Sequence, residues 1–292
     1  MKLKKSFLLP YFFITPAFLW LLVILIIPLS QSLWYSFTDY NLIRGMSSFV
    51  GLKNYQRVLT DPNILKAIWN TLIFTVSAIT LEMLFGLGAA LLLNSMGRGR
   101  RIITLIFMLP LLVTPSVIAL VWQTLFWNMS YGLINFGLNL LGIPSQPWLI
   151  DDKLAMIAVI LTEVWQQTPF VGLIILSGLQ ALPLAPFEAA TIDGASRLQK
   201  LCYITLPLLK PVIIVSLLFR TIFTLRVFDL IFILTSGGPG TATYVISIAI
   251  QQEFLTFFNV GVASAMSWIL LVISALISLV YIKILYTEMG EF

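Results

Sequence analysis

Five charged side chains stand inside long apolar runs of this 292-residue chain: Glu82, Glu163, Arg220, Arg226 and Asp229. A charge at the centre of an apolar helix costs about 2.5–3.5 kcal/mol on insertion scales, so such groups face a protein interior or a water-filled cavity. Held there, carboxylates and guanidiniums can neutralise one another or hydrogen-bond a polar solute passing through. Arg226 and Asp229 are three residues apart. On a continuous helix that spacing puts them on one face and predicts a structural ion pair. The chain has no histidine and one cysteine, Cys202. His-based metal sites, His general bases and an intramolecular disulfide are excluded. No metal site is expected, and no catalytic cluster speaks for a membrane enzyme.

Helices in a membrane must position these charges. Hydrophobic residues make up 59% of the chain and charged ones 10%, against about 25% charged in soluble domains. The 8 Trp and 21 Phe suit lipid-facing and interfacial surfaces. The net charge of +5 is therefore not a nucleic-acid signal. A span needs about 20 mainly apolar residues, and six segments qualify: roughly 7–30, 68–94, 102–127, 154–180, 208–235 and 263–286. The basic start, Met1 to Lys5, resembles a signal peptide, but the uncharged run from Ser6 to Thr38 exceeds a signal core and reads as a retained first helix. The expected fold is all-α, one transmembrane domain over 1–292.

Basic residues set the orientation. With the N-terminus inside, the inner set is Lys2, Lys4, Lys5, Arg98, Arg100, Arg101, Arg197, Lys200, Lys210 and Lys283, and the outer set is Arg44, Lys53, Arg57, Lys66 and Lys153. That imbalance predicts both termini on the cytoplasmic side. It also places residues 186–207 there. This stretch reads as a short helix after Pro186, a break at Gly194 and a second helix ending at Leu206-Pro207. Ala189, Ala190 and Ala195 have little bulk, so another surface can approach the backbone.

The same stretch carries a family pattern: Glu188-Ala189-Ala190, three residues ending at Asp193, Gly194, nine residues, then Ile204, Leu206 and Pro207. It resembles the hallmark loop of permease subunits of ATP-binding-cassette importers. That resemblance implies the type I importer permease fold and a coupling helix near Ala189 to Gly194, seated in a groove of a separate ATPase. The chain has no G-x-x-x-x-G-K-[ST] phosphate loop, so ATP and Mg are expected on that partner and no cofactor here. The implied partners are a second homologous permease, two nucleotide-binding ATPase subunits and an extracytoplasmic sugar-binding protein. The implied place is the cell membrane of a prokaryote.

Further stretches resemble carbohydrate permeases, specifically the larger-partner type of maltose and trehalose systems: Gly51-Leu52-Lys53-Asn54-Tyr55, Glu163 to Phe170, Phe219-Arg220-Thr221, Arg226 to Asp229 and Gly237-Gly238-Pro239. At 1.5 Å per residue, Glu163 to Gln167 lie about 14–20 Å from the outer end of the fourth helix, and Arg220 and Thr224 about 18–24 Å from the inner end of the fifth. Both groups fall near mid-membrane, where transporters place substrate. A sugar needs polar groups for its hydroxyls and an aromatic face for its ring. Glu163, Gln166, Gln167, Arg220 and Thr224 offer the first, and Trp165, Phe170 and Phe223 the second. The resemblance implies the same substrate path: Glu163, Gln166, Gln167, Phe170, Arg220, Phe223, Thr224 and Val227. Maltose permeases carry asparagines where Thr224 and Val227 stand. Half of these residues can equally line a watery path or hold helices together.

Two further readings concern local structure and drive. Gly86-Leu87-Gly88-Ala89-Ala90 offers small residues for close helix packing, and Pro110, Pro115 and Pro169 predict kinks. The alternative to ATP is an ion-driven secondary transporter using Glu82, Glu163 and Asp229.

Overall fold

The structure is a computed structural model that describes residues 5–45 and 48–289. It is helical, with no strand among the described residues beyond two isolated bridges. The helices are α1 (Lys5–Ser36), α2 (Lys53–Thr60), α3 (Pro62–Ser95), α4 (Arg100–Leu112), α5 (Pro115–Val121), α6 (Leu133–Leu140), α7 (Asp152–Ala181), α8 (Ala185–Ile192), α9 (Arg197–Lys200), α10 (Leu206–Leu225), α11 (Asp229–Thr235), α12 (Ile246–Gln251) and α13 (Val260–Met289). π-helical turns follow α5, α9 and α12. Among the described residues, five helices are long and apolar enough to cross a membrane, or six if the bent α4–α5 pair is one span. The chain is thus a multi-pass membrane protein.

Two spans depart from the continuous helices expected. The segment 102–127 is bent by 93° between α4 and α5. Pro110 lies inside α4 and Pro115 opens α5; proline removes a backbone donor and disfavours helix just before it. The segment 208–235 is broken at 226–228, between α10 and α11. Its helix also starts earlier, since α9 and the π turn run into α10 as one span, Arg197–Leu225.

The described contacts form two compact units, 1–61 with 249–270 and 62–248 with 271–292. In the first, the Gly51 to Tyr55 stretch locks a turn against the end of α1. Gly51 takes φ +60. Asn54 donates to the carbonyls of Ser36 and Thr38 at 2.9 and 2.7 Å, and Tyr55 shares a 2.7 Å hydrogen bond with Ser36. A Cβ on Gly261 would lie 2.2 Å from the Thr38 oxygen, so only glycine fits. Arg57 meets Glu253 at 2.9 Å, and Asn259 donates to the other oxygen of Glu253.

The second unit is built on α3 against α7. A Cβ on Gly86 would lie 2.6 Å from Val171, and one on Gly172 would lie 2.8 Å from Phe107. Small residues let the backbones of α3, α7 and α4 approach, as the Gly86 to Ala90 run predicts. A Cβ on Gly88 would meet nothing within 4 Å. Among the described residues, apolar clusters fill this unit. One surrounds Trp122, Trp127, Val159, Leu230 and Ile231; another joins Ala90, Leu93, Ile175, Leu179 and Leu209.

Candidate functional site

A buried polar cluster ties α3, α7 and α10 together. Arg220 is the largest fully buried side chain, at 1% exposure. Its Nε and Nη2 donate to the two oxygens of Glu82 at 2.5 and 2.6 Å, Nη2 also donates to Glu163 at 2.7 Å, and Nη1 to Gln167 at 3.2 Å. The planar guanidinium fork suits this two-pronged pairing. Glu82 and Glu163 are buried as well, at 0% and 4%. Each is an ionisable group that its apolar helix alone could not shelter, and their mutual hydrogen bonds offset part of the cost of burying them.

The helix breaks lie beside this cluster, and side chains satisfy the backbone groups they free. Gln166, one turn from Glu163, donates to the Val113 carbonyl at 3.0 Å, at the α4–α5 bend. Ser247 donates to the Val227 carbonyl at the α10–α11 break. Gln123 donates to the carbonyls of Ile233 and Leu234 and holds α11. Irregular backbone at membrane depth is tolerated where it is buried in protein or lines a cavity.

The eight residues expected on a substrate path fall into two groups. Glu163, Gln166, Arg220 and Thr224 are buried. Gln167, Phe170 and Val227 are half-buried and Phe223 is exposed. Phe223 packs edge-on to Phe170 and stacks on Phe219, both at 6.2 Å. Trp165 leans on Trp122 at 5.4 Å. Gln166 Oε1 and Thr224 Oγ1 are buried without a partner among the described residues.

The expected pair of Arg226 with Asp229 does not form. α10 ends at Leu225, and the chain leaves helical geometry before Asp229 opens α11, so the three-residue spacing no longer places them on one face. Arg226 Nε instead donates to the Ile222 carbonyl at 3.3 Å. The pairing that does form, Arg220 with Glu82, spans 138 residues. Its only signal in sequence is that each is a lone charge in an apolar helix.

The loop 186–207 is a helix–turn–helix whose turn is set locally. α8 holds Glu188, Ala189 and Ala190. The Ala195 N–H donates to the Ala190 carbonyl at 2.9 Å and the Gly194 N–H to the Thr191 carbonyl at 3.2 Å, with Gly194 at φ +75. This is a Schellman stop, and its left-handed position favours glycine. A Cβ at Gly194 would meet nothing within 4 Å, so the need is conformational, not spatial. Asp193 caps the helix. Ser196 then opens α9 with a reciprocal capping box to Gln199, and Lys200 Nζ donates to Thr191 at 2.8 Å across the turn. Ile204 lies in the π-helical turn, and Leu206 and Pro207 begin α10. Ile192, Leu198 and Tyr203 are 86%, 69% and 79% exposed, so the loop turns apolar side chains outward.

Residues 82–286 match the family described as "Binding-protein-dependent transport system inner membrane component". The chain is 40% identical over 274 residues to the trehalose/maltose transport system permease protein MalF of Thermococcus litoralis, covering 94% of this chain and 92% of that one. It is 32% identical over 277 residues to the trehalose transport system permease protein SugA of Mycobacterium tuberculosis, covering 94% and 88%. Among solved structures, a bacterial ABC transporter involved in the import of the acidic polysaccharide alginate superimposes with a TM-score of 0.84 at 24% identity, covering 97% of this chain and 96% of that one. The fold is that of type I ABC importer permeases. By the extent of these matches and the loop at Gly194, the chain belongs to the family of binding-protein-dependent transport system inner membrane components.

Proposed function

We propose that this chain is the permease subunit of an importer that moves a sugar, of the di- or oligosaccharide class that includes trehalose and maltose, using ATP hydrolysed by a separate ATPase. The observation that carries the reading is the exposed helix–turn–helix at Glu188 to Pro207, whose first helix is stopped at Gly194 by a left-handed residue and whose apolar side chains Ile192, Leu198 and Tyr203 are left uncovered by the described residues. A second permease, two ATPase subunits and an extracytoplasmic binding protein complete the assembly. Both termini lie on the cytoplasmic side, with the loop.

The names of the relatives support a sugar. So do the residues around the two helix breaks. Two buried polar atoms there, on Gln166 and Thr224, have no partner among the described residues, and a buried polar atom left unpaired costs about 1–3 kcal/mol. A hydroxyl-rich solute supplies what they lack, while Phe223 and Phe170 offer ring faces. The Arg220 cluster has a different part: its guanidinium is already engaged by Glu82, Glu163 and Gln167, so it frames the path by holding three helices. The ion-driven alternative needs Glu82 and Glu163 free to exchange an ion, and both are bonded to Arg220.

The test is ATP-dependent uptake of labelled trehalose and maltose by the assembled complex in proteoliposomes. Gly194→Val should abolish coupled uptake while leaving the complex assembled. Gly194→Asn, which tolerates the left-handed region, should retain much of it. Uptake driven by an ion gradient without ATP, or full uptake by Gly194→Val, would refute the reading.

A further inference from the structure

The end of α3 and the start of α4 are joined by the turn Gly97-Arg98-Gly99-Arg100-Arg101. Gly99 takes φ +93 and caps α4, so the chain reverses sharply and gathers three arginines at one corner. A cavity of about 570 Å³ opens beside them. Met96, Leu105 and Leu176 make its apolar wall; Arg100, Arg101 and Gln180 make its polar one. Among the described residues no carboxylate pairs with Arg98, Arg100 or Arg101. α3 has 34 residues, about 51 Å of helix, longer than the roughly 30 Å hydrocarbon core. Its end therefore reaches the headgroup layer. Leu176 and Gln180 belong to the last turns of α7, so the cavity lies at the membrane edge from which α8 departs.

We propose that this cavity binds the headgroup of an anionic phospholipid, with the phosphodiester between Arg100 and Arg101 and the acyl chains against Met96, Leu105 and Leu176. Charge complementarity and the guanidinium fork suit a phosphate. The apolar half of the wall selects a lipid over a free anion. Clustered arginines beside a span meet the anionic leaflet on the cytoplasmic side, which is the side assigned to this corner by the orientation proposed above. Gln180 stands five residues before Ala185, the first residue of α8, so an occupied site braces the root of the coupling loop. That last consequence rests on the coupling reading; lipid binding itself does not.

The experiment needs no ATP, so its failure is separate from failure of the importer reading. The full-length chain, purified with the subunits it assembles with, is placed in nanodiscs of phosphatidylcholine with a minority of phosphatidylglycerol. Lipid retained after detergent washing is then counted by native mass spectrometry. Wild type should retain phosphatidylglycerol preferentially. Arg100→Gln with Arg101→Gln should lower that preference about thirtyfold. Thr104→Glu, which adds a carboxylate to the cavity lining and leaves both arginines in place, should do the same. Arg44→Gln with Lys66→Gln, at positions outside the cavity, should not. Equal retention by all variants, or displacement of the lipid by inorganic phosphate, would overturn the proposal.

Discussion

The cluster at Arg220 and the turn at Gly194 solve opposite problems. Arg220 brings charge into a buried place, and its neighbours on two other helices meet all three guanidinium nitrogens: Glu82, Glu163 and Gln167 converge on it. Gly194 stands in the open, with nothing within 4 Å of where a side chain would go. Its role is to let the backbone take φ +75 so that α8 stops and α9 starts at a set angle. In the first region geometry is imposed by partners far along the chain. In the second it is written in consecutive residues. A rigid interior and a locally stopped, outward-facing loop are what a membrane subunit needs if a docked partner is to push on it.

The largest effect that can break this contrast is at the cluster. Removing one member of a buried ion pair costs about 3–5 kcal/mol, because it strands a buried charge. Arg220→Met should therefore lower the detergent unfolding midpoint sharply. Adding Glu82→Leu should restore part of the loss, since one of the stranded carboxylates goes too. Losses that simply add in the double variant would show that the two side chains do not act as a pair.

A smaller effect is expected in the loop. Ser196→Ala removes one half of the capping box with Gln199, a change of about 1 kcal/mol. Because α9 is short and exposed, the loss should appear as faster amide exchange over 196–200, with the global unfolding midpoint unchanged. A global shift as large as that of Arg220→Met would erase the distinction between the two regions.

The smallest effect sharpens the exposed extreme. In the first unit, the backbone N–H and hydroxyl of Ser48 both donate to Asp39 and hold its carboxyl below the ordinary value of 3.8. A depressed carboxyl stabilises the fold above its unfolded value, and that contribution is lost as pH falls through the lower, folded value. Protection of the Ser48 amide, corrected for intrinsic exchange, should fall only below pH 3.8. Asp39→Asn should abolish that step. Loss of protection already near neutral pH would mean another group holds the turn.

The degree to which the sequence foretold each part follows the same division. Lone charges in apolar runs marked Glu82, Glu163 and Arg220 as interior groups, but spacing pointed to Arg226 with Asp229 as the pair. That inference assumed an unbroken helix, and the break at 226–228 removes its premise. The bend between α4 and α5 was foreshadowed by Pro110 and Pro115 without a hint of its 93°. Gly86 was legible as a close-packing position, but that Val171 is what it faces was not.

By itself, the amino-acid sequence determined what depends on composition and on neighbours a few residues apart. It set the apolar spans, the basic turn at 97–101 and the helix–glycine–helix loop ending at Leu206-Pro207, because lipid partitioning, capping and left-handed backbone are decided within a few turns of chain. Only the tertiary structure decided which carboxylates Arg220 meets, where the spans break, and which side chains satisfy the carbonyls freed there. Those outcomes depend on how α3, α7 and α10 pack, and packing joins residues that the chain order keeps more than fifty positions apart.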